Sequence, residues 1–87
     1  MKPHNISELR IRAHQLKPTV RIGKSGLRES VIHEINKQLK ASQMVKIKLL
    51  GSFAESSDRK EVAKSLSSQT NSTLISLTGQ VIVLYKG

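Results

Sequence analysis

The sequence predicts a single two-layer α/β (α+β) domain over residues 1–87, with helices covering a mixed four-stranded sheet. Its 87 residues are enough for one small core and too few for two domains. Apolar residues recur alternately at helical and at strand spacing, in the order α-β-α-β-α-β-β. Helical crossovers between the first three strands favour parallel directions there, so only the last strand must return antiparallel.

The first half of the chain is predicted to form a helix, a strand and a second helix. Helical spacing covers about residues 8–15, and the Lys17-Pro18 step ends this helix because the residue before a proline avoids the α region. Residues 19–22 are rich in β-branched side chains, which predicts a short strand. An apolar stripe then predicts a helix over about residues 28–39.

A strand with one buried and one charged face is predicted over residues 44–50. Its apolar residues alternate with Lys46 and Lys48, so both lysines are expected on the outward face of the sheet. Lysines at these two positions are equally consistent with an ordinary solvent-exposed face and with a face that binds a ligand.

The last part of the chain is predicted to be a loop, a helix and a β-hairpin. Residues 51–57 are expected to be a loop, in which Phe53 could be exposed and touch a base. Asp58, with Glu61 three residues later, is suited to open a helix that ends near residue 71. Strands are then predicted at 73–77 and 81–85, joined by a turn over residues 78–80.

The composition favours an anionic partner. Fifteen Lys and Arg against six Asp and Glu give a net charge of +9, and nucleic acid is the first expectation for such a chain. The absence of cysteine excludes disulfides and thiolate metal sites. We find no signal-peptide pattern, and the longest apolar run, residues 81–85, is far below the ~20 residues that span a bilayer. A cytoplasmic protein without a membrane partner is therefore expected.

The loop Gly23-Lys24-Ser25-Gly26 is the strongest candidate site. It lies between a predicted strand and a predicted helix, where backbone amides, a lysine and a helix N-terminus can meet one phosphate group. Glycines also let a backbone pass close to a sugar-phosphate chain, as in the GXXG clamp of RNA-binding modules. A tight turn without any ligand is the alternative, and GXXG alone does not decide between them.

Catalytic motifs are incomplete in this sequence. A Walker A motif that ends at this loop would need glycine where Pro18 stands, and a nucleophile elbow at Ser25 would need glycine where Leu27 stands. The histidines lack metal-ligand spacing, and the acids form no pair suited to acid-base chemistry. We therefore expect no catalytic residues, metal, cofactor or small-molecule substrate.

Further cations are predicted to extend the binding surface around the loop. Lysines and arginines in these positions contact phosphates without reading sequence. They are Lys17, Arg21, Arg28, Lys46, Lys48, Arg59 and Lys60.

Three segments of the chain carry a family resemblance. They are residues 9–27, 45–48 and 78–86, and the first contains A-H-x-L-K-P followed at fixed spacing by I-G-K-S-G-L. The chain resembles the CRM domain (chloroplast RNA splicing and ribosome maturation), whose stand-alone prokaryotic members are called YhbY-like proteins. Many members have threonine where Arg28 stands, at the start of the second helix.

The resemblance implies a fold similar to the C-terminal domain of translation initiation factor three, with sheet order 1-2-4-3. It also implies RNA binding through residues 23–26 and the neighbouring basic surface, on precursors of the large ribosomal subunit. We therefore expect a monomeric RNA-binding protein that acts in ribosome assembly. A general nucleic-acid-binding protein and a protein-interaction adaptor on the ribosome are the alternatives.

Overall fold

The structure is a computed structural model that describes residues 6–24 and 26–86. Within these residues, helices and strands alternate along most of the chain. In chain order the elements are α1 (Ile6–His14), β1 (Val20–Ile22), α2 (Glu29–Ser42), β2 (Met44–Leu49), α3 (Gly51–Ser56), α4 (Arg59–Gln69), β3 (Thr73–Thr78) and β4 (Val81–Tyr85).

One element differs from the expected order. The loop predicted over residues 51–57 is wrong, because α3 occupies Gly51–Ser56. A six-residue helix is too short to show an apolar period, and only Ala54 within it is fully buried. Gly51 begins the helix with a φ of 49°, in the left-handed region that glycine adopts without strain.

The predicted fold class and strand order are confirmed, because the four strands form one mixed sheet in the order β1-β2-β4-β3. β1 pairs parallel with β2, and β4 runs antiparallel to both β2 and β3. In the parallel pair Ile22 lies beside Leu49, and the N–H of Leu50 donates to the carbonyl of Ile22 at 2.8 Å. β1 and β2 therefore end at the same edge of the sheet, and the segments that follow them begin there.

The main core lies between one face of the sheet and the helices α2, α3 and α4. Alternate residues of each strand point into it, which is the expected pattern for a sheet that packs on one side. Its buried members are Val20, Ile22, Ile35, Leu39, Val45, Ile47, Leu49, Ala54, Val62, Ala63, Leu66, Ile82 and Leu84.

α1 packs on the opposite face of the sheet, which adds a third layer to the predicted two-layer fold. Leu9 and Ala13 of α1 form a second, smaller core with Met44, Ile75 and Val83. Met44 and Val83 point away from the main core because neighbouring residues of a strand face opposite sides. Ile75 joins them because the register of β3 shifts between Leu74 and Ser76, as in a β-bulge. We call the side of the sheet that carries α1 the outer face.

Hydrogen bonds from the side chains of Arg10 and Lys46 help to hold α1 on the outer face. The guanidinium Nε of Arg10 donates to the carbonyl of Ile75 at 3.2 Å. The ammonium of Lys46 donates to the carbonyls of Ala13 at 3.1 Å and Leu16 at 3.0 Å. The carbonyls of Ala13 and Leu16 lie at the C-terminal end of α1, where the helix dipole stabilises a cation, and the Ala13 carbonyl also accepts from the N–H of Leu16 at 3.1 Å.

We predict that Lys46→Met lowers the free energy of unfolding by about 1–2 kcal/mol, because methionine keeps the aliphatic stem and loses the charged hydrogen bonds. Lys48→Met is the matched control, since Lys48 is exposed on the same face of β2, and its effect should stay within about 0.5 kcal/mol. Chemical denaturation of both variants measures the difference. Equal effects would contradict the role given to Lys46.

Candidate nucleic-acid interface

The glycine loop forms a hydrogen-bonded turn directly after β1. The N–H of Gly26 donates to the carbonyl of Gly23 at 2.9 Å, which closes a four-residue turn. Lys24 lies within this turn and is exposed to solvent. Ser25, the other central residue of the predicted site, lies outside the described residues. The turn therefore presents at least one cation at the end of the sheet.

Gly26 has a structural reason to be glycine. Its φ is +70°, where a side chain would strain the backbone. A Cβ placed there would lie 3.6 Å from the ring of Phe53, an ordinary contact, so backbone conformation rather than space requires glycine. Phe53 is accordingly half-buried in α3, next to the loop and against the main core, and the expectation of an exposed aromatic is wrong.

Arg28 begins α2 immediately after the loop. Its backbone is extended (φ −91°, ψ 160°), and its carbonyl accepts from the N–H groups of Val31 and Ile32 at 3.0 Å. Its side chain forms no capping hydrogen bond and is exposed. The first amides of α2 and the Arg28 guanidinium thus add positive potential beside Lys24, offset in part by Glu29 in the first turn.

Arg21 and Lys48 lie side by side on the outer face. They are direct partners in the parallel ladder of β1 and β2, and both are exposed. Like charges this close repel each other across a sheet, a cost that an anionic ligand would remove. Because Arg21 comes two residues before Gly23, this pair adjoins the loop.

Arg59 and Lys60 begin α4 at the same end of the sheet as the loop. Arg59 donates from its guanidinium to the carbonyl of Gly79 in the β3–β4 turn, so it joins α4 to the hairpin. Asp58 caps the helix as predicted, with its Oδ1 accepting from the N–H groups of Lys60 at 3.0 Å and Glu61 at 3.5 Å. Lys60 is exposed to solvent.

Two predicted cations lie apart from the loop. Lys17 precedes β1, and six residues of nearly extended chain, up to roughly 20 Å, separate it from Gly23. Lys46 uses its ammonium to hold the end of α1, although it was predicted as a phosphate contact on an open face. The structure thus groups Lys24, Arg21, Arg28 and Lys48 and leaves these two outside the group.

Two residues of α1, an arginine and a histidine, were missed by the sequence analysis. Arg10 and His14 line an open cleft of about 470 Å³ between α1 and the outer face. The sequence gives no signal for them, because an exposed arginine or histidine on a short helix looks like ordinary solvated surface. Only the packing of α1 on the sheet reveals their position.

The described residues give no support for a metal or a membrane segment. Among residues 6–24 and 26–86 no three His, Cys, Asp or Glu lie close enough together to hold a metal ion. Within the same residues, no helix has both the length and the apolar composition to cross a bilayer.

Comparison with known proteins gives consistent matches. The family model of the CRS1 / YhbY (CRM) domain matches residues 1–86. Probable RNA-binding protein YqeI of Bacillus subtilis is 36% identical over 78 residues, covering 90% of this chain and 79% of YqeI. Probable RNA-binding protein MJ0652 of Methanocaldococcus jannaschii is also 36% identical over 78 residues, covering 90% of this chain and 58% of MJ0652.

A solved structure shares the fold. The hypothetical protein SAV1595 from Staphylococcus aureus superposes with a TM-score of 0.78 at 33% identity, over 94% of this chain and 83% of SAV1595. The match extends over nearly the whole chain.

We predict that Gly26→Ala lowers the free energy of unfolding by roughly 1 kcal/mol, since alanine at positive φ is strained. Gly26→Asn should cost less, because asparagine tolerates this region. Gly23→Ala is the control: its φ lies outside the left-handed region and its added Cβ would make only an ordinary contact with Leu50, at 3.9 Å. Thermal or chemical unfolding measures all three, and equal losses for both alanine variants would contradict the strain argument.

Proposed function

Because the chain belongs to the CRS1 / YhbY (CRM) family, we propose that it binds RNA through the 23–26 loop and the basic surface beside it. Two relatives, YqeI and MJ0652, carry the name of probable RNA-binding proteins. The net charge of +9 on 87 residues supports a polyanionic ligand. In this proposal the protein has a binding role and no catalytic residues.

The observation that carries the proposal is the placement of the cations around the loop. Lys24 lies within a turn whose glycines leave the backbone uncovered, and Arg28 follows at the start of α2. Arg21 and Lys48 continue the same positive surface onto the outer face. Four cations on four neighbouring segments of the chain can contact successive phosphates of one RNA strand.

The proposed mechanism is electrostatic capture followed by close backbone approach. Release of counterions from RNA phosphates supplies most of the affinity. Gly23 and Gly26 lack side chains, so the sugar-phosphate chain can approach the turn and accept hydrogen bonds from backbone and Lys24 donors. Arg59 and Lys60 lie at the same end of the sheet and extend its positive electrostatic potential. Lys17 and Lys46 add to this potential from a greater distance.

We propose ribosomal RNA in large-subunit precursor particles as the physiological target, with the protein acting as a monomer. The support is the resemblance of residues 9–27 and 78–86 to a family associated with those particles. Contacts to phosphates alone suit a structured target recognised by shape, because they carry no sequence information. A general nucleic-acid-binding protein would use the same cations without this preference.

One observation favours a protein-interaction adaptor as a second candidate. Ile11 of α1 is 61% exposed and Leu16, two residues after α1, is 42% exposed, so this part of the chain presents apolar surface to solvent. Exposed apolar residues of this kind can contact a ribosomal protein.

We predict that Gly23→Asp combined with Gly26→Asp weakens RNA binding at least tenfold, because two carboxylates repel the phosphates and their side chains block close approach. Gly23→Asn with Gly26→Asn is the matched control of the same size without charge, and it should weaken binding less. Fluorescence anisotropy over a range of salt concentrations measures both. Normal binding by a folded double-aspartate variant, or affinity that does not fall with salt, would contradict the proposal.

We also predict that the protein sediments with large-subunit precursors in cell extracts and that ribonuclease releases it. Sucrose-gradient centrifugation followed by immunodetection measures its distribution, and the double-aspartate variant should remain near the top of the gradient. Association that survives ribonuclease would favour the adaptor instead. Equal binding to RNA and to DNA of the same length would favour a general nucleic-acid-binding protein.

A further inference from the structure

The cleft between α1 and the outer face has the form of a ligand site. Its volume is about 470 Å³, within the ~300–1,000 Å³ of typical small-ligand pockets. α1 covers the outer face around Met44, Ile75 and Val83 and leaves the part nearer the loop uncovered. The cleft lies at this boundary, and its apolar floor is the half-buried Val81 of β4, with the buried Val83 at the end nearer α1.

Polar groups converge on this floor from both sides. Arg10 and His14 lie on the α1 side, and Ser76 and Thr78 lie on β3. Because the Nε–H of Arg10 donates to the carbonyl of Ile75, its guanidinium plane is held at the cleft while its other N–H groups can point elsewhere. A planar cation, an apolar floor and two hydroxyls that line one cleft match what an unpaired nucleobase needs: a stacking surface and hydrogen-bond partners.

The cleft is also continuous with the phosphate-binding surface. Val81 is the ladder partner of Lys48 on β2, and Lys48 is the partner of Arg21 on β1. Two strand spacings, about 10 Å, therefore separate the floor of the cleft from Arg21, next to the loop. A single RNA strand that contacts the loop can cross this basic strip and reach the cleft.

We propose that the cleft binds the base of one unpaired RNA nucleotide, stacked between the Arg10 guanidinium and the Val81–Val83 floor. The inference rests on the proposed RNA-binding function and adds a base contact to a surface that otherwise contacts phosphates. The ligand is part of an RNA strand rather than a free nucleotide, because the strip formed by Lys48 and Arg21 leads from the cleft to the loop.

The test compares a single-stranded oligouridylate and an oligoadenylate of about twelve nucleotides, within the ~4–16 that single-strand sites cover, with an abasic strand of equal length. The strands carry equal phosphate charge, so any difference in affinity reports base contacts. We expect the wild-type protein to bind at least one base-containing strand about tenfold more tightly than the abasic strand. Fluorescence anisotropy gives the ratio of the two dissociation constants.

Variants locate the base contact. Arg10→Gln and the uncharged cleft-filling variant Ser76→Leu should bring the ratio close to one. Arg12→Gln is the matched control, since Arg12 is an exposed arginine of the same helix that does not line this cleft, and it should weaken both strands while keeping the ratio. Circular dichroism confirms the fold of each variant, and Ser76→Leu decides the question if Arg10→Gln unfolds.

Several results would overturn the inference. A wild-type ratio near one for both base-containing strands would exclude a base contact while leaving the phosphate proposal intact. A normal ratio in folded Arg10→Gln and Ser76→Leu would place the base outside the cleft. Failure of the proposed function would appear differently, as binding of all strands that neither salt nor the loop substitutions change.

Discussion

The parallel pairing of β1 with β2 is the constraint on which the rest of the structure depends. Its register sets Ile22 beside Leu49, so both strands leave the sheet at one edge and their continuations meet. The glycine turn follows β1 and α3 follows β2, so Phe53 of α3 lies next to Gly26. The same edge receives the β3–β4 turn, because the N–H of Leu49 donates to the carbonyl of Gln80 at 2.8 Å. The pairing of the three-residue strand β1 with β2 thus brings the segments that follow both strands together at one edge of the sheet.

The two faces of the sheet differ in how far helices cover them. The inner face, covered by α2, α3 and α4, buries most of the apolar residues that hold the domain together. The outer face is only partly covered by α1, and its uncovered strip carries Arg21 and Lys48. Cations can accumulate there without being buried, because the core on the other side supplies the stability. This division explains how a small domain tolerates such an excess of positive charge.

Much of this arrangement could be predicted from the sequence. The features that could not be predicted leave no periodic pattern in the local sequence. Strand 81–85 was predicted at its observed bounds, since alternation and β-branched residues are local signals. The six residues of α3 were missed because they are too few to show a period. Alternation correctly placed Lys46 on the outward face, but it could not show that α1 covers that face and accepts the lysine's hydrogen bonds. Arg10 was overlooked for the same reason, since its importance depends on where a helix packs.

The attachment of α1 has a consequence for the dynamics of the domain. Among the described residues, α1 contributes two buried apolar side chains, Leu9 and Ala13, to the small cluster on the outer face, and hydrogen bonds from Arg10 and Lys46 also hold it there. Local opening costs least where few apolar contacts must be broken. We therefore expect α1 to detach from the sheet at a lower free energy than global unfolding, as a separate cooperative unit. Its amides would then exchange hydrogen faster than those of β2 and β4, and the domain would alternate between a covered and an uncovered outer face.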